Sequence, residues 1–374
     1  MKFSLSIPAM VTEAKAQVRY KRQNIPAPLD LIIEIAIFVL VFLICNVVLE
    51  SIADMIFLIP ALFMNSSFTA ALSTAIQSGP SGLNGGVSSE IINQVMASPQ
   101  ASIAALFATV GAIVGAIIYV RFVEGRKIRT MGIRRGHILR EYLVGLIIGA
   151  VMFGAATGIA VASGGLIYGG LAGASVGMLL FFFVGFMVQG ASEEVLCRGY
   201  LLTTLARRQH LAVAVLVSSC LFGAMHLLNE NVAALGIVNI ILFGGFEAIY
   251  LLKRGNIWGV AAIHTAWNFT QGNVFGISVS GMATQPSILQ FTPATGSALM
   301  SGGAFGLEGS LSASIVLIIA IICALLLKNA DPPLRALPAP NGLGKVMILP
   351  GAKPLSTIPL PPQDRPSPTQ PRIP

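Results

Sequence analysis

Two adjacent glutamates and an arginine directly follow an apolar run, residues 179–188, in the sequence Ala-Ser-Glu-Glu-Val-Leu-Cys-Arg-Gly-Tyr. A charged side chain costs roughly 2.5 to 3.5 kcal/mol in the middle of a membrane helix, so these groups must face a protein interior or a wet cavity. On a helix, Glu194 and Arg198 lie four residues apart and can form an ion pair. Glu193 points about 100° away from that pair. It is therefore available as an acid or base, although a structural ion pair with a spare glutamate would give the same pattern.

The composition is that of a helical membrane protein. Of 374 residues, 55% are hydrophobic and 10% are charged. Apolar runs of about 20 residues, the length of a helix that crosses a bilayer, recur along the chain. We predict an all-α, polytopic membrane fold with about eight transmembrane helices, near residues 29–49, 101–120, 142–162, 174–205, 212–228, 232–252, 257–275 and 311–327.

The segments around these runs set the domain organisation and the orientation. Residues 1–28 form a basic N-terminal segment, residues 29–328 the membrane domain, and residues 329–374 a Pro-rich tail that we expect to be disordered. Lysines and arginines concentrate in segments that an eight-helix topology places on one side, so both termini are predicted to be cytoplasmic. A ten-residue apolar run, 55–64, is too short to span and is predicted to be interfacial or re-entrant.

Two features of the composition exclude other classes of protein. The isoelectric point near 9.6 could indicate nucleic-acid binding, but the basic residues belong to loops at one membrane face, so no nucleic-acid partner is expected. The four cysteines all lie in apolar runs without Cys-x-x-Cys spacing. They are predicted to be small core residues rather than a disulfide framework or a metal site.

The remaining polar residues of the predicted spans converge on one depth. Glu193 lies 16 residues before Gln209, in the turn between two helices, and His226 lies 17 residues after it. In an antiparallel helix pair, both residues are then roughly 25 Å from the turn, at about 1.5 Å per residue. His264 and Asn268 share one face of a later helix. A single histidine here would be read as a core residue, but their joint placement indicates one shared cavity.

Three motifs on three successive segments resemble those of a known family. They are Glu-Glu-x-x-x-Arg at 193–198, Phe-x-x-x-His at 222–226 and His-x-x-x-Asn at 264–268. Together they resemble the CPBP family, the CAAX protease and bacteriocin-processing intramembrane endopeptidases, also called Abi proteases. The resemblance covers about residues 95–330. It implies hydrolysis of a peptide bond in a membrane-associated protein or peptide. The protein itself is then expected to lie in a lipid bilayer, here a bacterial plasma membrane.

The resemblance also implies roles for individual residues. Glu193 would act as the general base and His226 would help to orient the water. His264 and Asn268 would stabilise the tetrahedral oxyanion. Glu194 and Arg198 would support the site by holding the glutamate-bearing helix in place. Phe222 would support it by packing beside His226.

Two questions stay open at the level of the sequence. Glu193, His226 and His264 supply one carboxylate and two imidazoles, a set that also suits one catalytic zinc ion, so the cofactor is either none or zinc. Asn268 fits an oxyanion donor better than a metal ligand, which favours the metal-free arrangement. The second question is the class of function, because a transporter or a non-catalytic immunity or scaffold protein could use the same polar cluster to bind a ligand.

Overall fold

The chain folds into helices, and the computed structural model describes residues 7–17, 25–64, 66–77, 93, 95–283, 286–329, 336–338 and 345–347. The α-helices are α1 Ala9–Ala16, α2 Ala27–Ile44, α3 Ser51–Met64, α4 Ser66–Gln77, α5 Pro99–Ala108, α6 Val110–Ile118, α7 Ile138–Ala162, α8 Val176–Glu194, α9 Thr203–Ala206, α10 Leu211–Ala224, α11 Ala234–Arg254, α12 Trp258–Phe269, α13 Ala298–Ser301 and α14 Leu311–Leu326. Helices α2, α6, α8 and α12 continue directly into π-helical segments, which are, in the same order, Cys45–Glu50, Tyr119–Val123, Val195–Leu202 and Thr270–Val274.

Five helices of the described chain are long and apolar enough to cross a membrane: Ala27–Pro60, Pro99–Val123, Ile138–Ala162, Val176–Ala206 and Ala234–Arg254. Two shorter apolar helices are Leu211–Ala224 and Leu311–Leu326. The predicted class, an all-α integral membrane protein, is therefore confirmed. The number of eight spans stays a prediction, because the segment predicted as the seventh is a short helix, α12, whose side chains are almost all buried among the others.

The apolar run 55–64 is not a separate interfacial element, as the sequence suggested. It is the last part of one helix in which α2 runs through the π-helical turn Cys45–Glu50 into α3. The polar residues Glu50 and Asp54 look like the end of a span in the sequence, but they line a cavity of the membrane domain. Because a bilayer offers no water to a broken backbone, the helix continues past them.

Helix α12 is held by close backbone contacts at glycines. Gly145 and Gly149 of α7 face it with Gly-x-x-x-Gly spacing, and an added Cβ at either position would collide with the α12 backbone. At Gly190 of α8, an added Cβ would lie 3.0 Å from the backbone nitrogen of Thr265. Small residues permit this kind of approach between helices in a membrane. The backbone that carries His264 is therefore tightly constrained on two sides.

A buried ion network ties helix α2 to the segment between α6 and α7. Arg126 lies 2.5 Å from Glu124 and donates to Thr204 at 2.9 Å. Arg207 lies 2.5 Å from Glu124 and 3.6 Å from Glu34 of α2. Both arginines are buried, although the sequence places them in basic loops at one membrane face. The desolvation of these charges is offset because each of them has a partner of opposite sign.

Two short strands pair near the C-terminal end of α7, away from this ion network. Strand β1, Leu166–Leu171, pairs antiparallel with β2, Leu289–Pro293. Nearby, Glu308 accepts hydrogen bonds from Trp267 Nε1 at 3.1 Å and from Ser280 Oγ at 2.8 Å. This contact connects the loop after α12 to the start of α14.

The C-terminal segment is a second unit and is described by itself. Strand β3, Ala336–Pro338, pairs antiparallel with β4, Lys345–Met347. Most of the tail predicted to be disordered, 329–374, and part of the basic segment 1–28 lie outside the described residues.

The predicted orientation can be tested by labelling single cysteines in a cysteine-free background. Thr295 and Gly136 are both exposed, and an added Cβ at Gly136 meets no atom within 4 Å. We expect Thr295→Cys to react with a membrane-impermeant maleimide in intact cells, and Gly136→Cys to react only after permeabilisation. External labelling of Gly136→Cys would contradict a topology with cytoplasmic termini.

Candidate active site

Glu193 lies in the last turn of α8, with its carboxylate directed into the interior of the membrane domain. Its Oε1 accepts a hydrogen bond from Gln189 Nε2 at 2.5 Å, and Gln189 Oε1 in turn accepts one from Asn268 Nδ2 at 2.9 Å. Its Oε2 has no hydrogen-bond partner and lies 3.6 Å from His264 Nε2. About 20% of the Glu193 side chain is exposed. Glu193 is thus positioned by a neutral amide and keeps one oxygen free.

Glu194 faces the other way and takes part in a fully buried ion network. The predicted ion pair is present, with Arg198 Nη1 at 3.0 Å from Glu194 Oε1. The same oxygen lies 2.9 Å from His264 Nδ1. Arg198 Nη2 lies 3.4 Å from Glu247 Oε2, which is 3.8 Å from His264 Nδ1. One guanidinium and one imidazole are therefore shared between two carboxylates.

Sequence reasoning missed two members of this site, Gln189 and Glu247. Glu247 is the one carboxylate within the apolar helix α11, Ala234–Arg254, and it is fully buried. An ionisable residue inside a span is itself a signal of a functional site, so this residue could have been found. Gln189 carries no such signal, because an uncharged amide four residues before Glu193 is unremarkable in a helix.

The hydrogen bonds fix the tautomers of the two histidines. His226 Nδ1 lies 2.9 Å from the backbone oxygen of Phe222, which can only accept, so Nδ1 carries the proton. His264 Nδ1 faces Glu194 Oε1, an oxygen that already accepts from Arg198, so this Nδ1 also donates. In the neutral form, both histidines therefore present an unprotonated Nε2. His264 has to become an imidazolium before its Nε2 can donate a hydrogen bond.

The ring of Phe222 packs between the ion network and His226. The guanidinium carbon of Arg198 lies 4.1 Å from the ring centroid, and the His226 ring is edge-on at 5.0 Å. His226 itself follows α10 rather than lying inside it, since the helix ends at Ala224. The expected packing of Phe222 beside His226 is thus present. Because the same ring also contacts Arg198, the position of His226 depends on that of Arg198.

One cavity of about 560 Å³ brings the four predicted catalytic residues together: Glu193, His226, His264 and Asn268. Much of its wall is apolar and aromatic, including Phe182, Phe186 and Phe243. Of the described residues that line it, none is a lysine or an arginine. A concave, mainly apolar site with a few convergent polar groups is the usual form of a substrate pocket.

The residues that could hold a metal ion do not coincide with the predicted set. Within the described part of the chain, ligand atoms gather within 4.8 Å of one another at Glu194, Glu247 and His264. Arg198 contacts both of these carboxylates and already supplies a positive charge there. Among the proposed zinc ligands, Glu193 Oε2 and His264 Nε2 lie 3.6 Å apart. The three residues Glu193, His226 and His264 do not form such a group, so the site would have to rearrange for all three to bind one ion.

The fold and the site define a polytopic helical membrane protein with a glutamate–histidine centre in one cavity. Comparison with known families gives a match to the model described as type II CAAX prenyl endopeptidase Rce1-like, over residues 175–270. This segment includes all three sequence motifs and Glu247. The resemblance to the CPBP family is therefore confirmed over this part of the chain. No curated protein and no solved structure shows significant similarity to the chain.

The charge balance of the network makes a prediction about stability. Arg198→Gln would leave two buried carboxylates without their cation, which we expect to cost about 3 to 5 kcal/mol. Glu247→Gln would leave the Glu194–Arg198 pair intact, so its melting temperature should stay close to that of the wild type. Thermal unfolding of both variants in detergent measures the difference. Equal destabilisation by the two substitutions would contradict this prediction and would show that Arg198 depends on Glu247 as well as on Glu194.

Proposed function

We propose that the protein is an intramembrane endopeptidase that hydrolyses a peptide bond in a membrane-associated protein or peptide. The observation that carries this proposal is the shared cavity, into which Glu193, His226, His264 and Asn268 converge from three separate segments. The family match over the same segments supports the reaction class. A largely apolar cavity is also suited to a substrate that reaches the protein from the bilayer.

Glu193 is the proposed general base. Its free Oε2 can accept a proton from water, while Gln189 holds Oε1 and thereby the direction of the carboxylate. The unprotonated Nε2 of His226 can accept a hydrogen bond from the same water, since its Nδ1 is occupied by the Phe222 carbonyl. The water is then polarised by two acceptors before it attacks the peptide carbonyl.

Asn268 and His264 are the proposed donors to the oxyanion. Asn268 gives one Nδ2 hydrogen to Gln189 and keeps the second for the substrate. His264 can donate through Nε2 as an imidazolium, a form that its contact with the Glu194 carboxylate at 2.9 Å stabilises. Preorganised donors of this kind stabilise the tetrahedral intermediate without reorganisation at the moment of reaction.

A zinc ion would change the role of His264. The Nδ1 of His264 is held by a carboxylate and that of His226 by a backbone carbonyl, which is how metal-bound histidines are commonly oriented. Zinc bound by Glu193, His226 and His264 would supply Lewis-acid activation of water. We favour the metal-free arrangement, because these three residues do not gather their ligand atoms as Glu194, Glu247 and His264 do.

Metal analysis distinguishes the two arrangements. The purified protein should contain well below one zinc ion per chain, and a chelator such as EDTA should leave most peptide cleavage intact. Zinc content is measured by mass spectrometry and cleavage with a fluorogenic peptide before and after chelation. Stoichiometric zinc, together with a loss of cleavage that added zinc restores, would overturn the metal-free arrangement.

Substitution of the base tests the reaction itself. Glu193→Gln keeps the shape of the side chain and its contact with Gln189, so the melting temperature should change little. Turnover should fall by a factor of about 10² to 10⁴, the usual contribution of a general base. Glu230→Gln, at an exposed residue outside the cavity, is the matched control and should cleave normally. If Glu193→Gln retained full cleavage or full biological effect, a scaffold or transport role would be favoured instead.

A further inference from the structure

The wall of the cavity includes one face of the long helix Ala27–Pro60, here called the N-terminal helix. This helix lies outside the segment 175–270 that matches the family model. Phe42, Asn46, Glu50 and Asp54 follow one another at intervals of four residues, and all four line the same cavity as Glu193. In an α-helix, four residues exceed one turn of about 3.6 residues, so such a row drifts around the axis. The wider π-helical turn Cys45–Glu50 reduces this drift and keeps the row on the cavity side.

Two glycines of α6 fix this π-helical turn in place. An added Cβ at Gly111 would lie 2.8 Å from the backbone carbon of Leu49 and 2.9 Å from the nitrogen of Glu50. One turn further along, an added Cβ at Gly115 would collide with the sulfur of Cys45. The two glycines have Gly-x-x-x-Gly spacing, which allows helices in membranes to pack this closely. Glu50 is thus held at the cavity by backbone packing.

The charges that face the cavity are out of balance. Glu50, Asp54 and Glu193 line it, and none of the described lining residues is a lysine or arginine. Glu308 also lines it but is engaged by Trp267 and Ser280. The Oε2 atom of Glu193 is buried and has no hydrogen-bond partner. Carboxylates removed from bulk water gain from a cation of complementary geometry. His264, whose Nε2 lies 3.6 Å from Glu193 Oε2, can supply one to Glu193 when it is protonated, but none of the described lining residues is a lysine or arginine that could pair with Glu50 and Asp54.

The chemistry of this wall favours a long organic cation over a metal ion. In the described part of the chain, Glu50, Asp54 and Glu193 are not among the groups whose ligand atoms gather within 4.8 Å. A lysine or arginine side chain can bridge more widely spaced carboxylates and can lay its methylene groups along the apolar wall. The cavity also holds the proposed hydrolytic residues. Glu50 and Asp54, on the wall beside them, would therefore contact the substrate on one side of the scissile bond.

We propose that Glu50 and Asp54 are specificity-determining residues, which select substrates that carry a lysine or arginine within a few residues of the cleaved bond. This inference rests on the proposed peptidase function and specifies its substrate class. The basic side chain lies against the acidic face of the N-terminal helix, and the adjoining apolar residues of the substrate contact the aromatic part of the cavity.

The experiment uses the full-length protein in liposomes and a fluorogenic peptide obtained from a randomised library. Four versions of this peptide differ at one position near the scissile bond, which holds Lys, Arg, Gln or Glu. We expect kcat/KM for the Lys and Arg peptides to exceed that for the Gln peptide by at least about tenfold, as for a partly desolvated charge pair. In the double variant Glu50→Gln, Asp54→Asn this ratio should fall towards one, and in Glu50→Lys the Glu peptide should become the better substrate.

Glu230→Gln is the matched control, because it removes a carboxylate outside the cavity and should keep the wild-type ratio. The single variants Glu50→Gln and Asp54→Asn replace the double variant if the latter is not recovered in folded form. The proposal is overturned if the wild type shows no preference for basic peptides, or if the preference survives in these variants. Inhibition by divalent cations without any peptide preference would also overturn it, in favour of a metal site.

A binding measurement separates this proposal from the proposed reaction. Fluorescence anisotropy of the labelled Lys and Gln peptides with the Glu193→Gln variant reports selection without turnover. Tighter binding of the Lys peptide, abolished by Glu50→Gln with Asp54→Asn, supports the acidic wall even if the wild type cleaves none of the peptides. In that case the peptidase function fails while the binding specificity stands. Equal binding of both peptides overturns the acidic wall whether or not cleavage occurs.

Discussion

The arrangement of the site depends on the buried guanidinium of Arg198. It contacts Glu194 through Nη1 and approaches Glu247 through Nη2, and its flat face covers the ring of Phe222. A buried cation without these partners would be very unfavourable, and so would the two carboxylates without the cation. Because the cation and the carboxylates stabilise one another, the helices that carry them are held in register. The positions of both histidines follow from this constraint, since Glu194 orients His264 and Phe222 orients His226 through its carbonyl.

Backbone packing supplies the second constraint on the site. Helix α12 is in close contact with glycines of α7 and α8, and the N-terminal helix is in close contact with glycines of α6. Lipid offers little hydrophobic driving force between helices, so such close approach and buried polar contacts hold the bundle together. The electrostatic network sets the direction of the side chains, and the glycine contacts set the distances between the backbones that carry them.

The sequence was informative where chemistry and spacing act locally. The Glu194–Arg198 pair follows from their four-residue separation, and a common cavity for Glu193 and His226 follows from their equal distances to a turn. Gln189 and the polar residues Glu50 and Asp54 could not be assigned in this way, because their importance comes from neighbours far away in the chain. The end of the first span was also predicted too early, at residue 49. In the sequence, a carboxylate such as Glu50 looks the same whether the helix ends there or the side chain faces a cavity.

Two buried ion networks in the described part of the chain differ in their charge balance, and this difference separates a structural role from a functional one. In the network that ties α2 to the core, the two arginines Arg126 and Arg207 face the two carboxylates Glu124 and Glu34, so the charges cancel. Around the cavity, a single arginine faces Glu194 and Glu247, and His264 completes the charge balance only when it is protonated. Further carboxylates lie on the cavity wall. A network that served only to hold helices together would be most stable when neutral. An excess of negative charge is useful where a proton has to be accepted and where a cationic group has to be bound, and the excess lies at the cavity that carries Glu193.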